Sequence, residues 1–387
     1  MMIAQQNYKM MKIKNLIIVL LSLITSVSST AQIENDNSKN SQVVISKTKI
    51  QPKDSIESLL KTAMENDHLP SLSVAVSKNG KIIFQDAYGF ADVENSVIAS
   101  SKSVYRIGSI SKSLTASVIM SLYDKGLLDL DDPIEKYCTS FPIKEAPITI
   151  KQLLSHQGGI RHYSNEHFKD EYYSTTRYVS SADAISVFKN DSLVALPGTK
   201  YFYSSYGYVL LGCAIEGINK STYEEALNQY IFTPAGMTQS TLDYSEKIIP
   251  YRVQPYERKK DGSPRNATPT DLSNKFPGGG ILSTSTDLVK FGNALLEGKI
   301  LQNAALEQMW TKQFTNDGKS IGYCLGWVQY DHKNEVFHGG ASAGGTAYLY
   351  ILKDEKIVIA FMTNTENWGD PRHKLAKDIA NVYTNGE

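Results

Sequence analysis

A serine and a lysine three residues apart on one helix can act as nucleophile and base, because residues at that spacing share a face. Ser109-Ile110-Ser111-Lys112 has the spacing, and so do Ser46/Lys49, Ser58/Lys61 and Ser186/Lys189. Context separates them. Ser46 falls in a polar stretch, and Ser58 and Ser186 fall on short amphipathic helices whose polar faces meet water. Ser109 alone opens a segment that is apolar nearly all round, the mark of a buried helix. A lysine near the start of such a helix is desolvated, which disfavours its ammonium, lowers its pKa and lets it accept the serine proton near neutral pH. Gly108 would let a backbone or substrate come close, and the free N–H groups of the first turn could hold an oxyanion beside Ser109. An arbitrary match of this kind is more often a serine N-cap with a snorkelling lysine. The pair therefore acquires chemical meaning only if other segments supply the remaining parts.

The elements that must position this pair are legible as patterns. Ile56, Leu59, Leu60 and Met64 give a helical face over 53–66. Leu72–Ser77 and Lys81–Tyr88 flank Asn79-Gly80, the pair most tolerant of positive φ, and predict a hairpin. The other end mirrors this with Thr346–Leu352, a charged turn at Lys353–Lys356, Ile357–Thr363 and a closing helix from about His373 to Tyr383. The middle reads as mostly helical, with capping boxes at Thr149/Gln152 and Ser221/Glu224 and a helix stop at Gly126 after Leu114–Tyr123. Strands from both ends can share one antiparallel sheet only if the helical middle is an insertion. The expected architecture is thus one such sheet flanked by the terminal helices, with sheet parts at 53–100 and 320–387 and an all-helical lobe at 101–319.

Composition narrows the function. The 387 residues carry 40 Lys+Arg against 40 Asp+Glu, with the charge spread along the chain, which argues against nucleic acid as a partner. With 41% hydrophobic residues and 23 tyrosines the chain has ample surface to bury. Cys138, Cys213 and Cys324 are odd in number and far apart in sequence, so they read as three buried small apolar residues rather than a disulfide framework. Lys9, Lys12 and Lys14 precede the apolar run Leu16–Ile24 and the small residues up to Ala31, the pattern of a cleaved secretory signal at 1–31. That run is too short for an ordinary bilayer span, which needs about 20 apolar residues, and no comparable run follows. Residues 32–52 read as a polar disordered linker. The expectation is an extracytoplasmic protein, periplasmic or secreted, with no stable membrane span once the signal is removed.

Five segments in order resemble one family. Tyr105-Arg106-Ile107-Gly108-Ser109-Ile110-Ser111-Lys112 looks like the nucleophile motif of the serine beta-lactamase and penicillin-binding protein family, class C branch. Tyr203-Ser204-Ser205 resembles its tyrosine motif, and Phe337-His338-Gly339-Gly340 its third motif on the edge strand. Leu153–Ile160 and Pro277–Thr284 resemble further family segments, so the similarity spans about 53–385. The wording at Ile160–Tyr163 and Phe291–Ala294 is most similar to the mitochondrial, peptidase-like branch. The resemblance implies the beta-lactamase type of α/β sandwich, with Ser109 as nucleophile, Lys112 as its activator and Tyr203 as general base and then acid. It implies Ser205, His338, Gly340 and Ala341 on the substrate wall, with the N–H groups of Ser109 and Ala341 as oxyanion hole. Tyr163, Tyr172 and Tyr178 also have Ser or Asn two residues on, and Tyr163-Ser164-Asn165 spells the family's usual triplet away from its usual place. A tyrosine needs a neighbouring cation to serve as base, and Lys112 is the candidate, the two titrating as a unit.

Two departures bear on substrate. The tyrosine motif ends in Ser205 where the family usually has Asn, and the third motif begins with His338 where it usually has Lys. A histidine with an ordinary pKa near 6.5 is mostly neutral at pH 7, so a carboxylate would meet a charge there only on the acid side. The resemblance therefore implies peptidase or esterase work on a small amide or ester, such as a short or D-amino-acid peptide, before antibiotic resistance. An acyltransferase, and a binding module for peptidoglycan or a protein, are the competing readings. No cofactor or metal is expected: the histidines show no ligand spacing, and the Gly278–Gly280 run lacks the lysine of a phosphate loop and reads as close backbone packing. His156 reads as tying a loop to backbone carbonyls. Oligomeric state has no signature in the sequence.

Overall fold

The computed structural model describes residues 51–330, 333–366, 368–369 and 371–384. The expected signal segment and all but the last two residues of the expected linker lie outside them. The chain enters with helix α1 (Pro52–Asp67), strands β1 (Ser71–Lys78), β2 (Lys81–Asp92) and β3 (Val97–Ile98), and later helices α2 (Ile110–Asp124), α3 (Ser205–Asn219) and α4 (Ser285–Leu296). It closes with β4 (Glu335–Ser342), β5 (Gly345–Leu352), β6 (Ile357–Thr363) and α5 (Pro371–Thr384). Among the described residues these strands form one antiparallel sheet in the order β3-β2-β1-β6-β5-β4. The two chain ends meet where β1 pairs with β6, Ser73 opposite Met362 through Lys78 opposite Ile357. The expected hairpin turns at Asn79 and Gly80, both at positive φ (53° and 75°).

Alternation along the strands sorts two cores. Leu72, Val74 and Val76 on β1, with Ile357, Ile359 and Phe361 on β6, face Ile56 and Leu60 of α1 and Leu375 and Ile379 of α5. The intervening residues face the helical lobe, where Ala75, Ala360 and Leu349 meet Leu288 and Phe291 of α4. Small polar residues on that face let α4 come close, with Ser73 Oγ 2.9 Å from Ser285 Oγ and Ser77 donating to Asn293 at 2.8 Å. Helix α2 runs through the middle of the lobe with every residue from Ile110 to Leu122 buried. Its hydroxyls are satisfied within the helix and across the lobe: Ser117 donates to the Ser113 carbonyl at 2.8 Å and Ser113 to the Gly326 carbonyl at 2.8 Å.

Four sequence expectations are corrected. The middle is mostly but not all helical, since Tyr105–Arg106, Ile281–Ser283 and Thr241–Leu242 form a small sheet and Tyr256–Arg258 pairs with Pro264–Asn266. Cys138 and Cys213 form a disulfide, their Cα atoms 5.3 Å apart across 75 residues, and only Cys324 is free. Sequence distance hid a pairing that folding brings together. Closing a loop of that length stabilises by on the order of 4 kcal/mol in the chain-entropy account. Cys213→Ala is accordingly expected to lower the melting temperature by about 5–10 °C relative to the oxidised wild type. A scan of both proteins with and without reductant checks this, and reductant should remove the difference. The second capping box sits one residue later, at Thr222/Glu225, because Lys220 ends α3 at φ 54° and leaves Ser221 in the turn with its hydroxyl unpartnered. His156 does not hold a carbonyl: its Nδ1 accepts the Ser204 N–H at 3.2 Å.

Candidate active site

Backbone packing fixes the Ser109 turn against the edge of the sheet. Tyr105-Arg106 pairs with Leu282-Ser283, and Ile107 donates to the Ile281 carbonyl. Arg106 donates to Asp243 and to the Ala343 carbonyl, both at 2.6 Å, tying this approach to the turn that follows β4. Gly108 (φ 50°) sits so close to β4 that a Cβ would lie 2.6 Å from both the nitrogen and the oxygen of Ala341. The outward edge of β4 therefore faces the start of α2. A Cβ on Gly340 would lie 1.9 Å from the Ile107 oxygen and 3.0 Å from the Ser109 nitrogen. Gly340 is thus consumed by backbone packing, and the part of the substrate wall expected of it falls to Ala341 and Ser342, which line the cavity.

Lys112 lies one turn into α2 and has no exposed surface. Its Nζ is 3.0 Å from Ser109 Oγ, 3.0 Å from Ser205 Oγ and 2.5 Å from the Gly278 oxygen. No carboxylate pairs with it among the described residues. A neutral amine satisfies all three contacts, donating to Gly278 and Ser205 while its lone pair accepts from the Ser109 hydroxyl. Burial, and next the charge of Lys275, hold Lys112 well below the usual lysine range. The Tyr203 ring centroid lies 4.8 Å from Lys112 Nζ, and burial pushes the phenol above the ordinary tyrosine value against a smaller opposing effect of the Ser109 hydroxyl. Burial thus shifts the two groups in opposite directions, the lysine toward its free amine and the tyrosine toward its protonated phenol, which favours Lys112 over Tyr203 as the acceptor of the serine proton. The Gly278–Gly280 run is the expected close packing, since a Cβ on Gly278 would lie 2.8 Å from the Ser205 oxygen.

These groups open onto a cavity of about 230 Å³. Ser109, Tyr203, Ser205, Gly278 and Gly279 line it, with Ala341 and Ser342 from the edge strand. The helical lobe adds His162, Tyr163, Tyr172 and Lys275, none of which the sequence reading assigned to the site. Tyr163, which carries the family's triplet, lines the same cavity as Ser205. His162 accepts the Ser205 N–H on Nδ1 at 3.2 Å. Burial, followed by the charges of Lys112 and Lys275, drives it down to about 3. Lys275 immediately precedes the glycine segment, which was the available signal.

His338 departs most from expectation. It is not among the residues that line the cavity. Its Nε2 is 2.8 Å from the Tyr323 hydroxyl and its Nδ1 2.7 Å from the Gly339 oxygen. Burial first, and then the Lys112 charge, push its pKa down to about 3, so it carries no charge for a carboxylate near pH 6.5. Among the described residues no group of His, Cys, Asp and Glu is arranged to hold a metal ion, and no helix is long and apolar enough to cross a membrane.

The beta-lactamase family profile matches residues 56–384. The human mitochondrial serine beta-lactamase-like protein is 28% identical over 382 residues, covering 74% of this chain and 69% of that protein. Penicillin-binding protein 4* of Bacillus subtilis is 25% identical over 328 residues, 80% of this chain and 71% of its own. Among solved structures, the octameric penicillin-binding protein homologue from Pyrococcus abyssi superposes with a TM-score of 0.73 at 27% identity, covering 86% of this chain and 77% of that one. The D-amino acid amidase from Ochrobactrum anthropi reaches 0.75 over 87% and 99% of the two chains, and at 21% identity it attests the fold. The chain is a serine hydrolase and belongs to the beta-lactamase family.

Proposed function

We propose that this hydrolase works through an acyl-enzyme on Ser109 and acts on a small amide or ester, including short or D-amino-acid peptides. The observation that carries the reading is the fully buried Lys112 amine 3.0 Å from Ser109 Oγ, with no carboxylate paired to it among the described residues. As Ser109 attacks the carbonyl carbon, its proton passes to Lys112. The Ser109 and Ala341 N–H groups receive the oxyanion. When the tetrahedral species collapses, the leaving nitrogen or oxygen takes a proton from Tyr203, which Lys112 replenishes. Water then attacks the ester carbonyl with Lys112 again as base, and the acid is released with Ser109 reprotonated. A 230 Å³ cavity lies below the volume typical of pockets for drug-sized ligands and suits a small acyl group. Intact-protein mass spectrometry after mixing with candidate esters and peptides tests the reading, an acyl adduct on Ser109 being the expected result.

Penicillin is expected to acylate slowly, because the third-motif position holds a neutral, hydrogen-bonded His338 in place of a fixed cation. The second-order acylation rate should fall at least about 10-fold below that of a small activated ester, the scale of one lost charge-assisted contact. Penicillin acylation at the ester's rate would sink this expectation.

Export belongs to the same reading. The Lys9–Ala31 pattern predicts a mature chain starting within about three residues of Gln32. The Cys138–Cys213 disulfide supports it, since such bonds persist in oxidising compartments. N-terminal sequencing of the extracytoplasmic fraction checks it, and a full-length chain recovered from cytosol would refute it.

A further inference from the structure

Lys275 presents an unusual situation: a lysine only 3% exposed on the wall of the Ser109 cavity, with no ion pair among the described residues. Its one hydrogen bond goes to the Tyr172 carbonyl at 2.5 Å, so an ammonium there has donors to spare. The Tyr163 and Tyr172 ring centroids lie 4.9 and 4.5 Å from Nζ, favourable for a cation but unable to neutralise it. The position is held firmly, because the neighbouring Asn274 donates to the Glu171 carbonyl at 2.7 Å. Nearby carboxylates are committed elsewhere: Glu171 accepts both Arg161 Nη1 (2.9 Å) and Nη2 (2.8 Å), and Asp271 accepts from the Ser273 N–H (2.8 Å) and the Ser245 hydroxyl (2.6 Å). Other cations near the site are occupied too, Arg106 by Asp243 and the Ala343 carbonyl.

A buried ammonium is costly unless something negative reaches it, and the open side of Lys275 is the substrate cavity. We propose that Lys275 receives a carboxylate of the substrate, so that the acyl donors of this enzyme are small amides or esters bearing an acid group. The inference rests on the acyl-enzyme reading of Ser109. It moves the anion site from the edge strand, where His338 is neutral, to the helical lobe.

The groups facing Lys275 set how it responds to pH. Arg106 disfavours its charge, Glu171 and Asp271 favour it, Lys112 is in turn pushed down by it, and the tyrosines stay protonated. Burial, with Arg106 next, brings Lys275 down to about 7, whereas His162 and His338 lie near 3 and stay neutral through this range. The charge on Lys275 is thus present at pH 6 and mostly lost by pH 8.

The test uses two activated esters of one size class: the 4-nitrophenyl monoester of glutaric acid, with a free carboxylate, and its methyl ester. The quantity read is the ratio of kcat/KM for the acid over the methyl ester, in which the titration of Lys112 cancels. In the wild type this ratio is expected to fall by up to about 10-fold from about pH 6 to about pH 8, following the free-enzyme ionisation of Lys275. In Lys275→Met at about pH 6 it should fall by about 10- to 100-fold, the loss of one charge-assisted contact, mainly through KM for the acid. A pH-independent wild-type ratio, or a variant that loses both substrates equally, would overturn the proposal and leave Lys275 as a residue that only tunes Lys112. The wild-type pH series decides even if the variant fails to fold. Fluorophosphonate labelling of the wild type away from Ser109 would instead overturn the acyl-enzyme reading, and this proposal with it.

Discussion

Ser109→Ala is expected to abolish covalent labelling by a fluorophosphonate and to lower ester hydrolysis by at least about 1,000-fold while leaving the fold intact. The size of the loss follows from the site's construction. A buried Lys112 amine has one hydroxyl within 3.0 Å that also borders the cavity at the start of α2, and the other hydroxyl at that distance belongs to Ser205. Ser205 packs its backbone against Gly278, whereas Ser109 lies beside Gly340 on the edge strand that carries the Ala341 N–H. What survives in Ser109→Ala is the binding cavity and the backbone N–H groups of residue 109 and Ala341, which can hold a substrate but form no ester. Little stability should be lost, because the Ser109 side chain makes no cap hydrogen bond to its own helix. Labelling, tryptic mapping and a thermal melt of the same preparation separate the outcomes. Labelling that persists, or that maps to Ser58 or Ser186, would show that the nucleophile is elsewhere.

How much of this was legible in the sequence depends on the range of the interactions involved. The sheet was readable because β1 alternates, β6 is a short apolar run, and the β1–β2 turn needs two residues at positive φ, which Asn79 and Gly80 announce locally. The union of the two chain ends followed from topology, since strands at both termini had no other way to pair. The Ser109/Lys112 couple was readable because it lies within one helical turn. The Cys138–Cys213 bond was not, since its partners are 75 residues apart and nothing local marks them. The capping box at Thr222 was displaced by one residue for a similar reason: the termination of α3 at Lys220, not the local triplet, sets where the next helix begins.

In the active site the limit is sharper. His338 was given a carboxylate-reading role because its residue type was compared with a lysine at a matching motif position. The Tyr323 hydroxyl that occupies its Nε2 comes from a separate segment, and burial of the pair is visible only in the fold. His162 lies in the family-like segment Ile160–Tyr163 and Lys275 just ahead of the glycine segment, but nothing in either segment marks these side chains as facing the site. They become part of the cavity only when the 272–279 segment and the loop after Ile160 fold against α3. The balance of protons between Lys112 and Tyr203 likewise needed the structure, because both are desolvated and burial shifts a lysine down and a tyrosine up.

That balance yields the second large effect. Lys112→Ala is expected to lower kcat/KM for a small ester by about 1,000-fold or more, the scale of losing the base that activates a nucleophile. Lys112→Arg is expected not to restore it, because a guanidinium keeps its protons and has no lone pair for the Ser109 hydroxyl. If Lys112 served instead as a fixed positive charge beside the oxyanion, arginine would recover a substantial part of the rate, so the arginine variant discriminates the two roles. The pH profile supplies an independent sign. Burial holds Lys112 well below the ordinary lysine range, which favours its free amine, and lowering the pH converts that amine to an ammonium that cannot accept the serine proton. Wild-type kcat/KM for an uncharged ester should therefore fall on the acid side and level off as Lys112 deprotonates, with no requirement for a tyrosinate. A profile that kept rising into the alkaline range where a buried tyrosine ionises would assign the base to Tyr203 instead. Tyr203→Phe completes the comparison: with Lys112 as base it should slow amides, whose leaving nitrogen needs a proton, much more than nitrophenyl esters, whose leaving group departs as the anion.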